Sequence, residues 1–356
     1  MKKLRAGIIG ATGMVGQRFI TLLENHPMFE LTVLAASPRS AGKKYSQAVE
    51  GRWKLGDMPG YVSDMVLFDA ADIDSVSSRC DFVFCAVDMK KDEIRALEEA
   101  YARSETPVVS NNSANRWTDD VPMVIPEINP SHLEVISAQR ARLGTKRGFI
   151  AVKPNCSIQS YVPALTPLLD FGIDKVFVCT YQAISGAGKT FREMPEIIDN
   201  VIPYIGGEEE KSEKEPLRIW GSVKDGKIVP VTGIDISAQC IRVPVSDGHL
   251  AAVFVKFSGE KPSKEQILER WRNFGGVDLP SAPSEFLRYA EENDRPQPKL
   301  DRDAQKGMQV TLGRLREDSI FDYKFIGLSH NTLRGAAGGA VLIAELLADK
   351  GYITSK

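Results

Sequence analysis

Leu4-Arg5-Ala6-Gly7-Ile8-Ile9 runs directly into Gly10-Ala11-Thr12-Gly13-Met14-Val15-Gly16, and this stretch decides the fold. The first six residues read as a short apolar strand. Residues 17–25 then carry helical spacing, stopped by His26-Pro27. Strand, glycine-rich turn and helix in that order make a phosphate site. Backbone N–H groups at a helix start point outward with a favourable dipole, and glycines let the backbone come close where a Cβ would collide. The spacing is G-x-x-G-x-x-G, looser than G-x-G-x-x-G, so a tight turn without a ligand is the plain alternative; the flanking strand and helix favour the site.

Outward from this turn the pattern repeats. Residues 31–36, 82–87 and 107–110 are compact apolar strands, and residues 92–103 have helical spacing. Strands of this kind separated by helices predict a parallel sheet covered on both faces. The second strand ends in Ala36-Ser37-Pro38-Arg39-Ser40. NAD-binding folds place a carboxylate near that point for the ribose hydroxyls. None is present, and Arg39 with Ser37 and Ser40 suits a 2′-phosphate, so NADP(H) is the expected cofactor, against an incidental surface arginine as the alternative.

A chain of 356 residues exceeds what one core usually covers, so two domains are expected. Forty-five basic against forty-seven acidic side chains leave a net charge of −2, which offers no broad footprint for nucleic acid or an anionic membrane. The N-terminus has neither the apolar core nor the cleavage site of a signal peptide, and no run of about 18 apolar residues suggests a membrane span. Five scattered cysteines without a C-x-x-C pair fit reduced thiols in the cytoplasm, and no ligand cluster at metal spacing is found.

From about residue 149 the texture changes. Residues 176–183, 238–243 and 250–257 are longer and rich in β-branched side chains, as in a mixed or antiparallel sheet, with helices expected at 157–170, 191–204 and 264–274. Residues 280–308 look like a surface excursion. The apolar, small-residue segment 336–350 is expected to be a helix that packs back on the first domain.

Pro154-Asn155-Cys156-Ser157 stands between the strand-like residues 149–152 and an expected helix. A thiol at a helix N-terminus feels the positive end of the dipole, which lowers its pKa and prepares a nucleophile. Cys85 and Cys179, inside apolar strands, read as inert. Of the four histidines, His26 and His132 read as solvated. His249, at the mouth of a strand, is only modestly better placed by spacing than His330 to serve as the base.

Taken together, these segments resemble the aspartate-semialdehyde dehydrogenase family in its archaeal and fungal-like branch, over essentially the whole chain. The resemblance rests on residues 10–16, Ser110-Asn111-Asn112-Ser113 with Arg116, Pro154-Asn155-Cys156, the run Thr180-Tyr181-Gln182-Ala183-Ile184-Ser185-Gly186-Ala187-Gly188, Arg242 before His249, and Asn331-Thr332-Leu333-Arg334-Gly335. It implies a Rossmann-like doubly wound parallel sheet plus an α+β catalytic and dimerisation domain with a mixed sheet. The expected division is 1–150, completed by 332–356, and 151–331, in a homodimer or homotetramer. By position, Cys156 would be the nucleophile, His249 the acid/base, and Gln182 the residue holding thiol and acyl group. Arg242 would pair with the substrate carboxylate, Arg116 and Lys211 with phosphate, and Glu208 with the ammonium, its register among residues 208–210 left open. Gly10, Thr12, Gly13, Met14, Val15, Gly16, Ser37, Arg39 and Ser40 would hold the cofactor, with Ser185, Gly186, Gly188 and Asn331 against its nicotinamide half. Without the resemblance, residues 208–215 read as a solvated charged loop.

The small-molecule reaction so implied is reduction of β-aspartyl phosphate through a thioester. Rivals are a CoA-thioester reductase such as malonyl-CoA reductase, N-acetyl-glutamyl-phosphate reductase, an ordinary hydroxy-acid dehydrogenase, and a non-catalytic NADP sensor. The sensor has no reason to keep Cys156, Gln182 and His249 together.

Overall fold

A computed structural model describes residues 2–356. Six strands, β1 (Leu4–Ile9), β2 (Phe29–Ala36), β3 (Phe68–Asp69), β4 (Phe82–Cys85), β5 (Val108–Ser110) and β6 (Ile150–Val152), form one sheet in the order β3-β2-β1-β4-β5-β6. Every pairing in it is parallel. The strands are short unbroken apolar runs, β4 being buried at all four positions, because helices cover both faces and neither face can be polar. Strand order reverses direction beside β1, and the crevice at the carboxyl ends of β1 and β4 is where such a sheet takes a ligand.

The helix Met14–Leu23 starts one turn earlier than the spacing predicted, because Gly13 has extended geometry and serves as its N-cap. The C-terminal helix Gly338–Asp349 follows a wider π-type turn at Leu333–Ala337. It is apolar except for the buried Glu345 and its terminal Asp349, and packs in one core with Ala6, Ile8, Phe19 and Phe84 of the first sheet and helix. Strand β6 spans residues 150–152, so the expected division at 150/151 falls inside a strand of the first sheet.

A second sheet is mixed. Strands β7 (Ile173–Gln182), β8 (Ser222–Lys224), β9 (Lys227–Val229), β10 (Asp235–Arg242), β11 (His249–Phe257), β12 (Leu287–Ala290), β13 (Val310–Glu317) and β14 (Tyr323–Ser329) follow in the chain. Apart from the β8–β9 hairpin they form the sheet β10-β7-β11-β14-β13-β12. β10–β7 and β12–β13 are parallel, and the remaining pairs antiparallel. The doubly wound parallel sheet and mixed-sheet unit expected from the sequence are both present.

Four local expectations need correction. Residues 157–170 are a chain of short turns, not one helix, since Pro163 and Pro167 interrupt it. Residues 191–204 keep only the turn Pro195–Ile197, with Asp199 at φ 57° and Ile198, Val201 and Tyr204 exposed. The acidic run is not a loop; Glu208–Ile219 is a helix that buries Glu208, Ser212 and Glu215 on one face. His26 and His132 are buried: the His26 ring meets Glu345 at 2.8 Å, and His132 lies between Asn129 and the Gly221 carbonyl. Residues 280–308 also contribute β12 to the sheet.

Candidate active site

The glycine turn leaves β1 with Gly10 at φ 90°. A Cβ on Gly10 would stand 2.4 Å from the Ala86 carbonyl, and one on Gly16 would stand 2.3 Å from the Gly10 carbonyl. These glycines therefore let the turn, β4 and the first helix close on one another, while at Gly13 nothing lies nearer than 3.6 Å. Gly10, Thr12 and Gly13 line a groove of about 640 Å³ that continues past Ser37, Arg39 and Ser40 to Lys43. An open cradle at the phosphate end and three cationic side chains, Arg39, Lys43 and Arg52, along its walls fit a dinucleotide carrying an extra phosphate. Met14 and Gly16 lie within the first helix and support the turn, and Val15 faces the neighbouring cavity.

That cavity, about 260 Å³, holds Asn111, Arg116, Cys156, Ser185, Gly186, Glu208, Lys211 and Asn331 on its walls. The Asn331 amide accepts from Gly248 N and donates to Ser185 Oγ, both at 2.8 Å, joining the end of β14 to the turn after β7. Gly188, at φ 68°, ends that turn; its carbonyl accepts from Lys54 Nζ at 2.7 Å, which also meets Glu193. This Lys54 contact joins segments 134 residues apart and carries no local sequence signal.

Cys156 Sγ lies 3.4 Å from His249 Nε2. The Ala183 backbone N–H donates to His249 Nδ1 at 3.0 Å, so the ring proton resides on Nε2 and faces the sulfur. Burial, then the Arg242 charge, hold His249 well below the usual histidine range, so the ring is neutral. Between His249 and His330 the geometry is decisive: His330 hydrogen-bonds within its own Thr332 turn and near Asp303.

The expectation of a dipole-activated thiol is corrected. The turn after Cys156 is a single four-residue 3₁₀ turn, Ser157–Ser160, with little dipole to offer. Burial and the nearby Glu208 push the thiol up to about 11, with Lys153, Arg116 and Arg242 acting the other way. The free enzyme thus holds mostly thiol at neutral pH.

The acidic helix supplies one wall. Glu208 accepts from Lys211 Nζ at 2.8 Å, from both reaches of Asn155 Nδ2 and from Gln182 Nε2 at 3.2 Å. Burial, the largest influence, acts upward on its carboxyl, but Lys211, Gln182 and Asn155 together outweigh it and hold the group below the usual carboxylate range. Gln182 Oε1 accepts from Thr180, so Gln182 orients Glu208 and stands behind the cavity rather than in its wall. Arg242 Nη1 is fixed on the Ala183 carbonyl. Arg116 is clamped by Lys153 O, Asn111 O and, at 2.9 Å, Glu215 Oε1.

Glu215 was not singled out from the sequence. Its second oxygen accepts from Asn155 N at 2.6 Å, so one buried carboxylate fixes Arg116 and the turn that carries Cys156. Of the acyl-side residues expected from the sequence, His249 contacts the sulfur, Arg116, Glu208 and Lys211 line the same cavity as Cys156, and Gln182 and Arg242 stand behind its walls.

Comparison with known proteins fits this geometry. Residues 5–136 match the model of the semialdehyde dehydrogenase NAD-binding domain, and residues 165–334 that of the semialdehyde dehydrogenase dimerisation domain. An aspartate-semialdehyde dehydrogenase from Archaeoglobus fulgidus is 45% identical over 96% of this chain and 97% of its own length. One from Saccharomyces cerevisiae is 42% identical over 98% of each chain. The chain belongs to the aspartate-semialdehyde dehydrogenase family.

A solved aspartate-semialdehyde dehydrogenase with NADP from Candida albicans superposes with a TM-score of 0.89 at 40% identity, covering 99% of this chain and 100% of that one. The long groove at the glycine turn and the smaller cavity at Cys156 both lie within the region so matched. The acidic helix reaches into the latter from the second unit.

Proposed function

We propose that the chain catalyses the reversible, NADPH-dependent reductive dephosphorylation of L-β-aspartyl phosphate to L-aspartate β-semialdehyde through a thioester on Cys156, a step of lysine, threonine and methionine biosynthesis. The observation that carries this reading is the Cys156–His249 contact at the base of a cavity walled by Arg116, Lys211 and Glu208. Two cations and one carboxylate match a substrate with a phosphoryl group and an ammonium.

Arg242 takes the α-carboxylate with the guanidinium edge not used on Ala183, and Glu208 the ammonium. Arg116 and Lys211 hold the phosphoryl group. Lys211 changes partner from Glu208 to phosphate as substrate enters, which frees a Glu208 oxygen. The thiolate adds to the acyl carbon, the carbon–oxygen bond to phosphate breaks, and phosphate leaves with the electron pair. Bound NADPH supplies the hydride that the thioester carbon accepts. The His249 Nε2–H donates a hydrogen bond to the resulting oxyanion. A neutral imidazole with Nδ1 committed to Ala183 acts here by donation, not by forming imidazolium. When the carbonyl reforms, sulfur is expelled as thiolate, the form that attacked, and in the resting enzyme it regains the proton that the thiol had released before attack.

The groove residues Gly10, Thr12, Gly13, Ser37, Arg39 and Ser40 would hold the dinucleotide, and Ser185, Gly186 and Asn331 its nicotinamide half. We place the first functional domain at 1–152, its boundary moved past β6 from the expected residue 150, with 332–356, the second at 153–331, and the dimer on the mixed-sheet unit. Ile198, Val201 and Tyr204, exposed in the single chain, are suited to such burial.

The deciding assay follows semialdehyde oxidation with and without phosphate, using NADP and then NAD, and NADPH oxidation with β-aspartyl phosphate against malonyl-CoA. Phosphate-dependent turnover with NADP is expected. Robust activity with malonyl-CoA alone would replace this reading with a CoA-thioester reductase.

A further inference from the structure

Lys153 is 2% exposed and has no carboxylate within ion-pair reach among the described residues. Its Nζ donates to the Pro154 carbonyl at 3.1 Å and to nothing else. The surrounding acids are committed: Glu215 to Arg116 and Asn155 N, Glu208 to Lys211, and Glu127 to Arg334. Beyond the amine lie Val124, Ile125 and the buried Gln159 amide nitrogen, itself a donor without an acceptor. A buried ammonium without a counter-ion is costly, and a charge kept in such a place belongs with a partner that is charged only part of the time.

That partner is legible from two glycines one helical turn apart. A Cβ on Gly335 would stand 2.8 Å from Cys156 Cβ, and one on Gly339 would stand 2.7 Å from Lys153 Cε. Gly335 lies in the π-type turn and Gly339 in the first turn of the following helix, so Cys156 and the lysine stem pack against successive turns of one segment, three residues apart in the chain and each within reach of the other's charge. His249 is not available as the cationic partner, because an added proton on Nδ1 would face the Ala183 N–H.

We propose that the Lys153 ammonium is the counter-charge of the Cys156 thiolate, lying beneath the Pro154-Asn155-Cys156 turn and outside the substrate cavity as a positioning residue for the sulfur's charge. From thiol and free amine the ion pair forms by moving one proton from sulfur to nitrogen, with no change in net charge. Burial pulls Lys153 down to about 7; the Cys156 charge and Glu215 act upward, and Arg116 and Arg334 downward. Sulfur and amine therefore titrate as one pair. Each acylation removes the thiolate and weakens the hold on the lysine proton, and each release of product restores it.

The proposal rests on Cys156 as nucleophile, but its test reads thiol chemistry and not turnover. In the full-length enzyme, Lys153→Met should slow iodoacetamide labelling of the Cys156 peptide about tenfold at pH 7, the size of a one-unit displacement, and move its pH curve upward. The melting temperature should hold or rise, since an uncompensated buried charge is gone. From the other side, the Lys153 side-chain resonance in ¹³Cε-lysine-labelled enzyme should titrate at lower pH in Cys156→Ser than in wild type. A labelling curve that superposes on wild type in folded Lys153→Met overturns the pairing. So does a lysine midpoint unmoved by Cys156→Ser, which decides alone if the methionine variant does not fold. Failure to acylate Cys156 with an intact labelling shift would fault the catalytic reading and leave the pairing standing.

Discussion

Gly186→Ala should impair the enzyme by crowding His249 and Arg242 while removing neither side chain. A Cβ at Gly186 would stand 2.9 Å from Arg242 Nη1, 3.1 Å from His249 Cε1 and 3.2 Å from His249 Nε2. Real contacts of this kind are longer, so both side chains must yield by a few tenths of an ångström. Neither has slack: Arg242 is held on the Ala183 carbonyl at 2.6 Å, and the His249 ring is pinned by Ala183 N. The displacement falls on the 3.4 Å contact between Nε2 and Cys156 Sγ and on the seat of the α-carboxylate. Misplacement by about 1 Å costs on the order of 10²-fold, so a shift of this size should lower kcat/KM by about 10- to 100-fold. Gly186 does not lie in the left-handed region, so the backbone accepts alanine and the melting temperature should hold. Steady-state kinetics with semialdehyde, NADP and phosphate read the effect. A kcat/KM within about twofold of wild type would refute the claim that Gly186 is glycine to make room for these two groups.

Arg39→Ala should raise KM for NADPH by tenfold or more and leave KM for NADH nearly unchanged if the groove-lining Arg39 takes the 2′-phosphate, as we propose; equal effects on both would remove that role. Glu215→Gln replaces an acceptor of two donors with a group whose amide nitrogen must face either Arg116 or Asn155 N–H, so stability should fall by about 1–3 kcal/mol and KM for phosphate should rise, read by chemical denaturation and kinetics. Stability should also fall in acid. His330, lowered to about 4 by burial, and His249, lowered well below its usual range, stay neutral in the fold. The unfolded chain binds protons there below about pH 6.5, so the melting temperature should drop progressively from pH 6.5 toward 4, and a flat profile would contradict neutral rings.

The parallel sheet was legible because its signal is dense. Leu4–Ile9 and residues 10–16 fix strand, turn and helix within a few residues, and the apolar strands around Phe82 and Val108 have no other reading. Cys156 stands out by position, but a helix dipole does not act on it, because prolines at 163 and 167 break the expected helix into turns. The acidic helix was hidden by its composition. Its buried face is Glu208, Ser212 and Glu215, polar side chains whose spacing makes no hydrophobic period, and only their partners Asn155, Arg116 and Ser157 explain the burial. His26 and His132 misled for the same reason: the groups that satisfy them, Glu345 and the Gly221 carbonyl, lie far along the chain. Lys153 and Glu215 carry no local pattern at all, and their meaning comes from what surrounds them in space.

The most direct measurement is mass spectrometry of enzyme quenched after mixing with β-aspartyl phosphate in the absence of NADPH. One aspartyl group on the Cys156 peptide, discharged as semialdehyde when NADPH is added, is the predicted result. Turnover without any acyl group at that sulfur, or a Cys156→Ser enzyme that reduces the substrate at nearly the wild-type rate, would contradict it.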